Sequence, residues 1–196
     1  MAADLLAVNL DDWTPGTPLT AALTGLRAGQ LVCLSGDIIL ARDAAHARLR
    51  RLLSEGKILP DWSRLPLYYA SPTETQEGCV IGALGPTTAR RMDGYLSELM
   101  QAGCGRLTLG KGERGPACAE ACRRYGGLYF AAVGGAAALG ARDHVSAAAT
   151  IDWPELGMEA IRRVTLKDLP ALVAIDARGT DYYGRLTTSA PKKEIP

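Results

Sequence analysis

Apolar residues fall along the chain in short runs separated by helical-period stretches. Leu31 to Ser35 (LVCLS) and Ile38 to Ala41 (IILA) flank Gly36-Asp37, which predicts two short strands with a bend or bulge between them. Asp43 is placed to cap a helix over AAHARLRRLLSEG, with Leu49, Leu52 and Leu53 on one face and Gly56 as its stop. Leu67 to Ala70 and Cys79 to Leu84 read as buried strands around a loop. From about Thr88 to Ala102, Met92, Tyr95, Leu96, Leu99 and Met100 recur at helical spacing. Arg106 to Leu109 predicts a strand, and Pro116 opens a helix, CAEACRRYGG, that glycine closes. Leu128 to Val133 and Leu172 to Asp176 predict two more strands. Strand and helix alternate, so the fold class is α/β with a mixed or parallel sheet and flanking helices.

The ends of the chain follow a different pattern. Residues 1–30 hold few strand formers, a turn-like WTPGTP and a short apolar-periodic LTAALTGL, and are expected to form an N-terminal arm. Residues 31–185 make the main domain, and 186–196 a polar tail. The stretch Val133 to Ala141 (VGGAAALGA) is biased toward small residues and is expected to pack closely.

The charge balance narrows the function classes. Lys and Arg number 22 against 21 Asp and Glu, a formal net charge of +1, which argues against nucleic-acid binding. No apolar run reaches bilayer-spanning length, and Asp4, Asp11 and Asp12 stand where an export signal carries basic residues, so a cytoplasmic chain without membrane contact is expected. The cysteines are Cys33, Cys79, Cys104, Cys118 and Cys122, an odd set without C-x-x-C, so no disulfide framework is expected. Cys118 and Cys122 share a helix face, but nothing nearby completes a metal site, and no metal ligand is assigned to this chain.

Three local features carry candidate chemistry: Arg42-Asp43-Ala44-Ala45-His46, Gly85-Pro86-Thr87-Thr88-Ala89-Arg90-Arg91-Met92-Asp93, and Gly110-Lys111-Gly112. Each follows a predicted strand and two enter helices, where open α/β sheets hold ligands. Each supplies a cation, Arg42, Arg91 or Lys111, and the glycines beside Lys111 allow backbone amides to approach an anion. Thr87 and Arg91 are four residues apart and can face the same way. Together these features describe a pocket for a small polyanion. Plainer roles fit the same residues. Thr87 or Thr88 serves equally as a helix cap, Lys111 as an exposed turn residue, and Arg42 as a partner of Asp37 or Asp43. One of Arg90 and Arg91 is a solvated charge, His46 a packed or capping histidine, and His144 a surface residue. No G-x-S-x-G, P-loop or G-x-G-x-x-G is present, so a serine triad and nucleotide binding find no support.

The ordered set LSGDIILARDAAHARL, IGALGPTTARRMDGY, LTLGKGERGP, YFAAVGGAAAL, DWPELGMEAIRRV and DLPALVAID resembles the β-subunit, or C-terminal catalytic domain, of class I iron–sulfur fumarate hydratases and L-tartrate dehydratases. The resemblance covers roughly residues 30–185. It implies a swivelling β/β/α domain and a separate α-subunit carrying a 4Fe–4S cluster, in an α2β2 heterotetramer. It implies that Thr87 is the proton-abstracting base and that Arg42, Arg91 and Lys111 hold the substrate carboxylates. The activity implied is reversible dehydration of a 2-hydroxy C4 dicarboxylate. YFAAVGGAAAL points toward (S)-malate and fumarate, with L-tartrate or a mesaconate-type acid as the alternative. A non-catalytic diacid-binding or assembly module is the reading of a different class. Two features depart from the family pattern: Arg90 beside Arg91, and the short acidic YASPTETQEG segment from Tyr69 to Gly78.

Overall fold

The computed structural model describes residues 5–132 and 137–189. Its strands are β1 (Leu6–Asn9), β2 (Leu31–Leu40), β3 (Leu67–Tyr68), β4 (Ala70–Pro72), β5 (Leu84–Pro86), β6 (Leu107–Gly110), β7 (Leu128–Ala132), β8 (Val145–Asp152) and β9 (Ile161–Ile175). Its helices are α1 (Ala21–Gly25), α2 (Asp43–Ser54), α3 (Asp93–Gln101), α4 (Pro116–Tyr125), α5 (Ala137–His144) and α6 (Tyr182–Ser189). Residues 133–136 of the small-residue stretch and 190–196 of the expected tail lie outside the described residues.

The main sheet runs in the order β1-β2-β3-β6-β7-β9-β8, with a further pairing of β2 and β9. Strands β2, β3, β6 and β7 are parallel, whereas β9 runs antiparallel to both β7 and β2. Because β9 pairs with both ends of that series, the mixed sheet curls into a partly closed barrel with helices outside it. This architecture is compatible with the swivelling β/β/α domain that the resemblance implies. The long β2–β9 ladder is irregular between Leu34 and Gly36, so the two expected short strands are one strand with a bulge.

Side-chain alternation along each strand divides the core in two. Ile38, Leu40, Tyr68, Leu107, Leu109, Leu128 and Phe130 fill the face that the sheet curls around. Their neighbours Ile39, Leu67, Tyr69, Tyr129 and Ala131 point outward to meet Ala45 and Leu49 of α2, Leu96 and Leu99 of α3, and Cys118 and Cys122 of α4. The N-terminal segment joins this arrangement: β1 pairs in parallel with β2, and Leu10, Trp13, Leu23 and Leu26 are buried in the inner cluster.

Two expectations about strands need correction. Cys79 to Leu84 is not a buried strand. Cys79 and Val80 are exposed, and only Leu84–Pro86 pairs, antiparallel to β4 in a separate ribbon. The segment folds back so tightly on residues 73–75 that a Cβ on Gly82 would lie 2.2 Å from the Thr73 carbonyl oxygen. There the Gly82 and Ala83 amides donate to the hydroxyls of Thr75 and Thr73, at 3.2 and 3.0 Å, in place of a ladder. In addition, β8 and the first half of β9 are strands that the apolar pattern did not mark. Ser146-Ala147-Ala148-Ala149 is poor in strand formers and lies in an edge strand, and β9 interrupts its apolar positions with a half-buried Arg162 and an exposed Arg163, Lys167 and Asp168.

Candidate anion site at the strand ends

The parallel strands β2, β3 and β6 end on one side of the barrel. The first and third expected motifs leave from the ends of β2 and β6, and the second, which follows β5 of the separate ribbon, is tied to the end of β3 through Tyr69. After β2, Arg42 stands in an extended conformation just before α2. Its guanidinium turns back over the helix start, where Nη1 donates to Ser71 Oγ. Nη2 lies 3.7 Å from both Asp43 Oδ2 and Glu159 Oε1. Glu159 also accepts the Ala44 amide at 2.8 Å, so it caps a helix N-terminus that would otherwise present unpaired donors. Asp43, expected as the cap, is instead the first helical residue.

Thr87 is held by its backbone on two sides. Its amide donates to the Tyr69 carbonyl at 2.7 Å, and its carbonyl accepts the Lys111 amide at 3.0 Å. The Lys111 carbonyl in turn accepts the Ala89 amide at 3.0 Å. This contact needs Gly110, since a Cβ there would lie 2.8 Å from Ala89 Cβ. Lys111 therefore spends its own amide on Thr87. Among the described residues, no carboxylate pairs with the Lys111 ammonium.

A 3-10 turn over Ala89–Met92 precedes α3 and brings Arg91 back over Thr87. Arg91 Nη2 donates to Thr87 Oγ1 at 2.7 Å and to Asp43 Oδ2 at 2.8 Å. The structure thus joins Arg42, Asp43, Arg91 and Thr87 by side chain, and Lys111 by backbone. Arg42 and Arg91 share Asp43, and Arg42 also lies beside Glu159, while Lys111 adds a cation that no carboxylate pairs with among the described residues. Arg90 points elsewhere and donates to Glu113 Oε1 at 3.2 Å. Thr88 is exposed, and its hydroxyl makes no capping bond, so the helix-cap role weighed for it is not taken up.

Beneath the site, His46 is fully buried and meets Tyr69 edge-on at 5.2 Å. Its Nδ1 is 2.7 Å from the Arg42 carbonyl, which can only accept, so the proton sits on Nδ1 and the buried Nε2 has no hydrogen-bond partner among the described residues. Burial pushes its pKa down to about 4, opposed by the Arg42 carbonyl. The folded chain then binds fewer protons than the unfolded chain between pH 6.5 and about 4. Stability present above pH 6.5 is lost as pH falls through that window, by about 3 kcal/mol. Denaturant unfolding across pH 4–7 should show this slope, and it should flatten in His46→Gln. Equal slopes in the two proteins would contradict it.

Ser71 and Glu159 carry no signal of their place here in the sequence. Glu159 lies within DWPELGMEAIRRV, but nothing in local spacing connects it to an amide 115 residues away. A cleft of about 430 Å³ lies elsewhere, between residues 73–83 and Ala141, Arg142 and Val145. It holds none of the clustered cations. No three of the Cys, His, Asp and Glu side chains among the described residues converge as a metal-binding group. Cys104, Cys118 and Cys122 are buried, Cys33 is half-buried and Cys79 is exposed, and among the described residues they form no converging set of three donors that would fit an iron–sulfur cluster. No helix among the described residues is long and apolar enough to cross a membrane.

A family model described as Fumarase C-terminus matches residues 2–186. The chain is 37% identical over 180 residues to fumarate hydratase 2 of Leishmania major, covering 91% of this chain and 32% of that protein. It is 38% identical over 181 residues to the aerobic class I fumarate hydratase of Escherichia coli K12, covering 92% of this chain and 33% of that protein. It thus spans about a third of the length of these fumarate hydratases. It is also 30% identical over 171 residues to the L(+)-tartrate dehydratase subunit beta of E. coli K12, covering 84% of this chain and 83% of that subunit.

Proposed function

Because the chain belongs to the Fumarase C-terminus family, we propose that it is the β-type part of an iron–sulfur hydro-lyase that reversibly dehydrates a 2-hydroxy C4 dicarboxylate, with (S)-malate and fumarate as the preferred pair. The observation that carries this reading is the Thr87 hydroxyl, held at 2.7 Å by Arg91 among Arg42, Asp43 and Lys111. Dehydration removes a proton from the carbon beside one carboxylate and expels hydroxide from the next carbon. As the proton leaves, negative charge spreads into that carboxylate, and Arg42, Arg91 and Lys111 stabilise it there. A threonine hydroxyl is a weak base in water. A guanidinium donating to its oxygen favours the deprotonated form, and the neighbouring cations add to that effect. Thr87 then takes the proton while the cations keep the substrate in place.

We assign the 4Fe–4S cluster, with its Lewis-acid assistance to the departing hydroxyl, to a separate α-subunit in an α2β2 assembly located in the cytoplasm. The general acid belongs there too. Higher identity to fumarate hydratases than to the tartrate dehydratase subunit favours malate over L-tartrate. The retained threonine argues against a purely scaffolding module, which has no use for a base.

The test is anaerobic co-purification with candidate α-subunits, followed by hydration and dehydration assays on fumarate, mesaconate and tartrate-type acids. The assembled protein should turn over one of them, and the chain alone should have neither activity nor iron–sulfur absorbance. Malate dehydration by the chain alone would end the two-subunit reading.

A further inference from the structure

We propose that Asp93 and Arg114 are positioning residues, a buried fastener that sets where the Lys111 loop stands relative to Thr87 and Arg91. This rests on the dicarboxylate reading above, and deepens it by naming what fixes the spacing of its cations.

The loop from Lys111 to Gly115 joins β6 to α4, and its fourth residue, Arg114, turns inward. Its side chain is fully buried, and Nε pairs with Asp93 Oδ1. Asp93 opens α3, two residues after Arg91, and its other oxygen accepts the Gly115 amide at 2.7 Å. One carboxylate therefore grips both the side chain and the backbone at the far end of the loop. The guanidinium lies 5.3 Å from the Tyr69 ring and 5.0 Å from the Tyr129 ring. Those two tyrosines also reach the site. Tyr129 donates its hydroxyl to the Gly112 carbonyl at 2.8 Å, and the Tyr69 carbonyl accepts the Thr87 amide at 2.7 Å. A single buried cation thus touches the supports of Thr87, Arg91 and Lys111.

Stability does not account for this arrangement. Arg114 leaves both terminal nitrogens, Nη1 and Nη2, buried without a hydrogen-bond partner among the described residues. Burying a charge pair costs desolvation that its attraction seldom exceeds, and apolar residues of similar size often serve as well or better. What the pair provides is direction: a bifurcated carboxylate grip and two ring faces allow the loop one position. A carboxylate bridging Arg91 and Lys111 requires their spacing to be fixed before it arrives.

Three variants test this: Asp93→Asn, Arg114→Met and the double variant. They are measured in the full chain alone and in the assembled enzyme. Either single variant should raise KM about tenfold with kcat within about threefold of wild type, the signature of displaced binding groups. The double variant removes both charges together, so its unfolding midpoint should return toward wild type while its KM stays raised. Amide hydrogen exchange over 111–115 in the full chain should speed up in all three. Recovery of KM together with the midpoint would make the pair merely structural and overturn the proposal, as would wild-type KM in both single variants. If the wild-type assembly turns over none of the diacids, the functional reading fails. The exchange measurement then decides the fastener by itself, and unchanged exchange over 111–115 overturns it.

Discussion

Thr87→Ala is expected to lower kcat of the assembled enzyme by about 10²–10⁴-fold, the range of a positioned general base, while KM changes little. The cations that hold the substrate remain, because Arg91 keeps its 2.8 Å contact with Asp43 when the threonine oxygen is gone. The backbone at position 87 is fixed by Tyr69 and Lys111 through main-chain bonds that alanine also makes. The fold is therefore spared and the chemical step is lost. Solvent exchange of the C3 proton of malate should disappear in the same variant, since that exchange needs only proton abstraction and return. Thr88→Ala is the control. Its hydroxyl makes no capping bond and faces solvent, so it should cost less than about 0.5 kcal/mol and leave turnover intact. A catalytic defect in Thr88→Ala, or continued exchange in Thr87→Ala, would move the base to another residue.

The sequence made the local parts of this structure legible and left the tertiary ones hidden. Helix α4 follows from Pro116 at its first position and from Gly126, which adopts the left-handed conformation at its end. Helix α2 follows from its leucine face, although the residue expected to cap it carries out a different task. Asp43 bridges Arg42 and Arg91, which a reading along the chain cannot show because Arg91 lies 48 residues away. The same limit hides Glu159 and Ser71. The proximity of Thr87 to Arg91 was readable, since four-residue spacing acts locally even through a 3-10 turn. Strand β8 was missed for another reason. Its alanines are good helix formers, and pairing with β9 decides their state against that preference. Cys79 to Leu84 errs in the opposite direction, because an apolar run cannot reveal that threonine hydroxyls take its amides.

The two acidic partners within the site lead to an order of effects among the cations. Arg42, Arg91 and Lys111 replaced singly by alanine should each reduce kcat/KM, by about 2–5 kcal/mol in transition-state terms once the substrate excludes water. They should not do so in the same way. Lys111 has no carboxylate partner among the described residues, so Lys111→Ala should act mainly on KM and leave the unfolding midpoint unchanged. Arg42 also holds Ser71 and lies beside Glu159 at the start of α2, so Arg42→Ala should lower stability as well as activity. Arg91 is the cation that donates to the Thr87 oxygen, so Arg91→Ala removes a carboxylate contact and the group that favours the deprotonated hydroxyl. It alone should show a large fall in kcat, with the acid side of the pH–rate profile displaced upward, because the base must then lose its proton without that cation. Arg90→Ala provides the comparison. Its guanidinium is exposed and paired with Glu113, so kcat/KM should stay within about threefold of wild type. Equal kcat losses in the Arg90 and Arg91 variants would show that the helix start presents both arginines to the substrate. A kcat loss confined to Lys111→Ala would transfer activation of the threonine to the lysine.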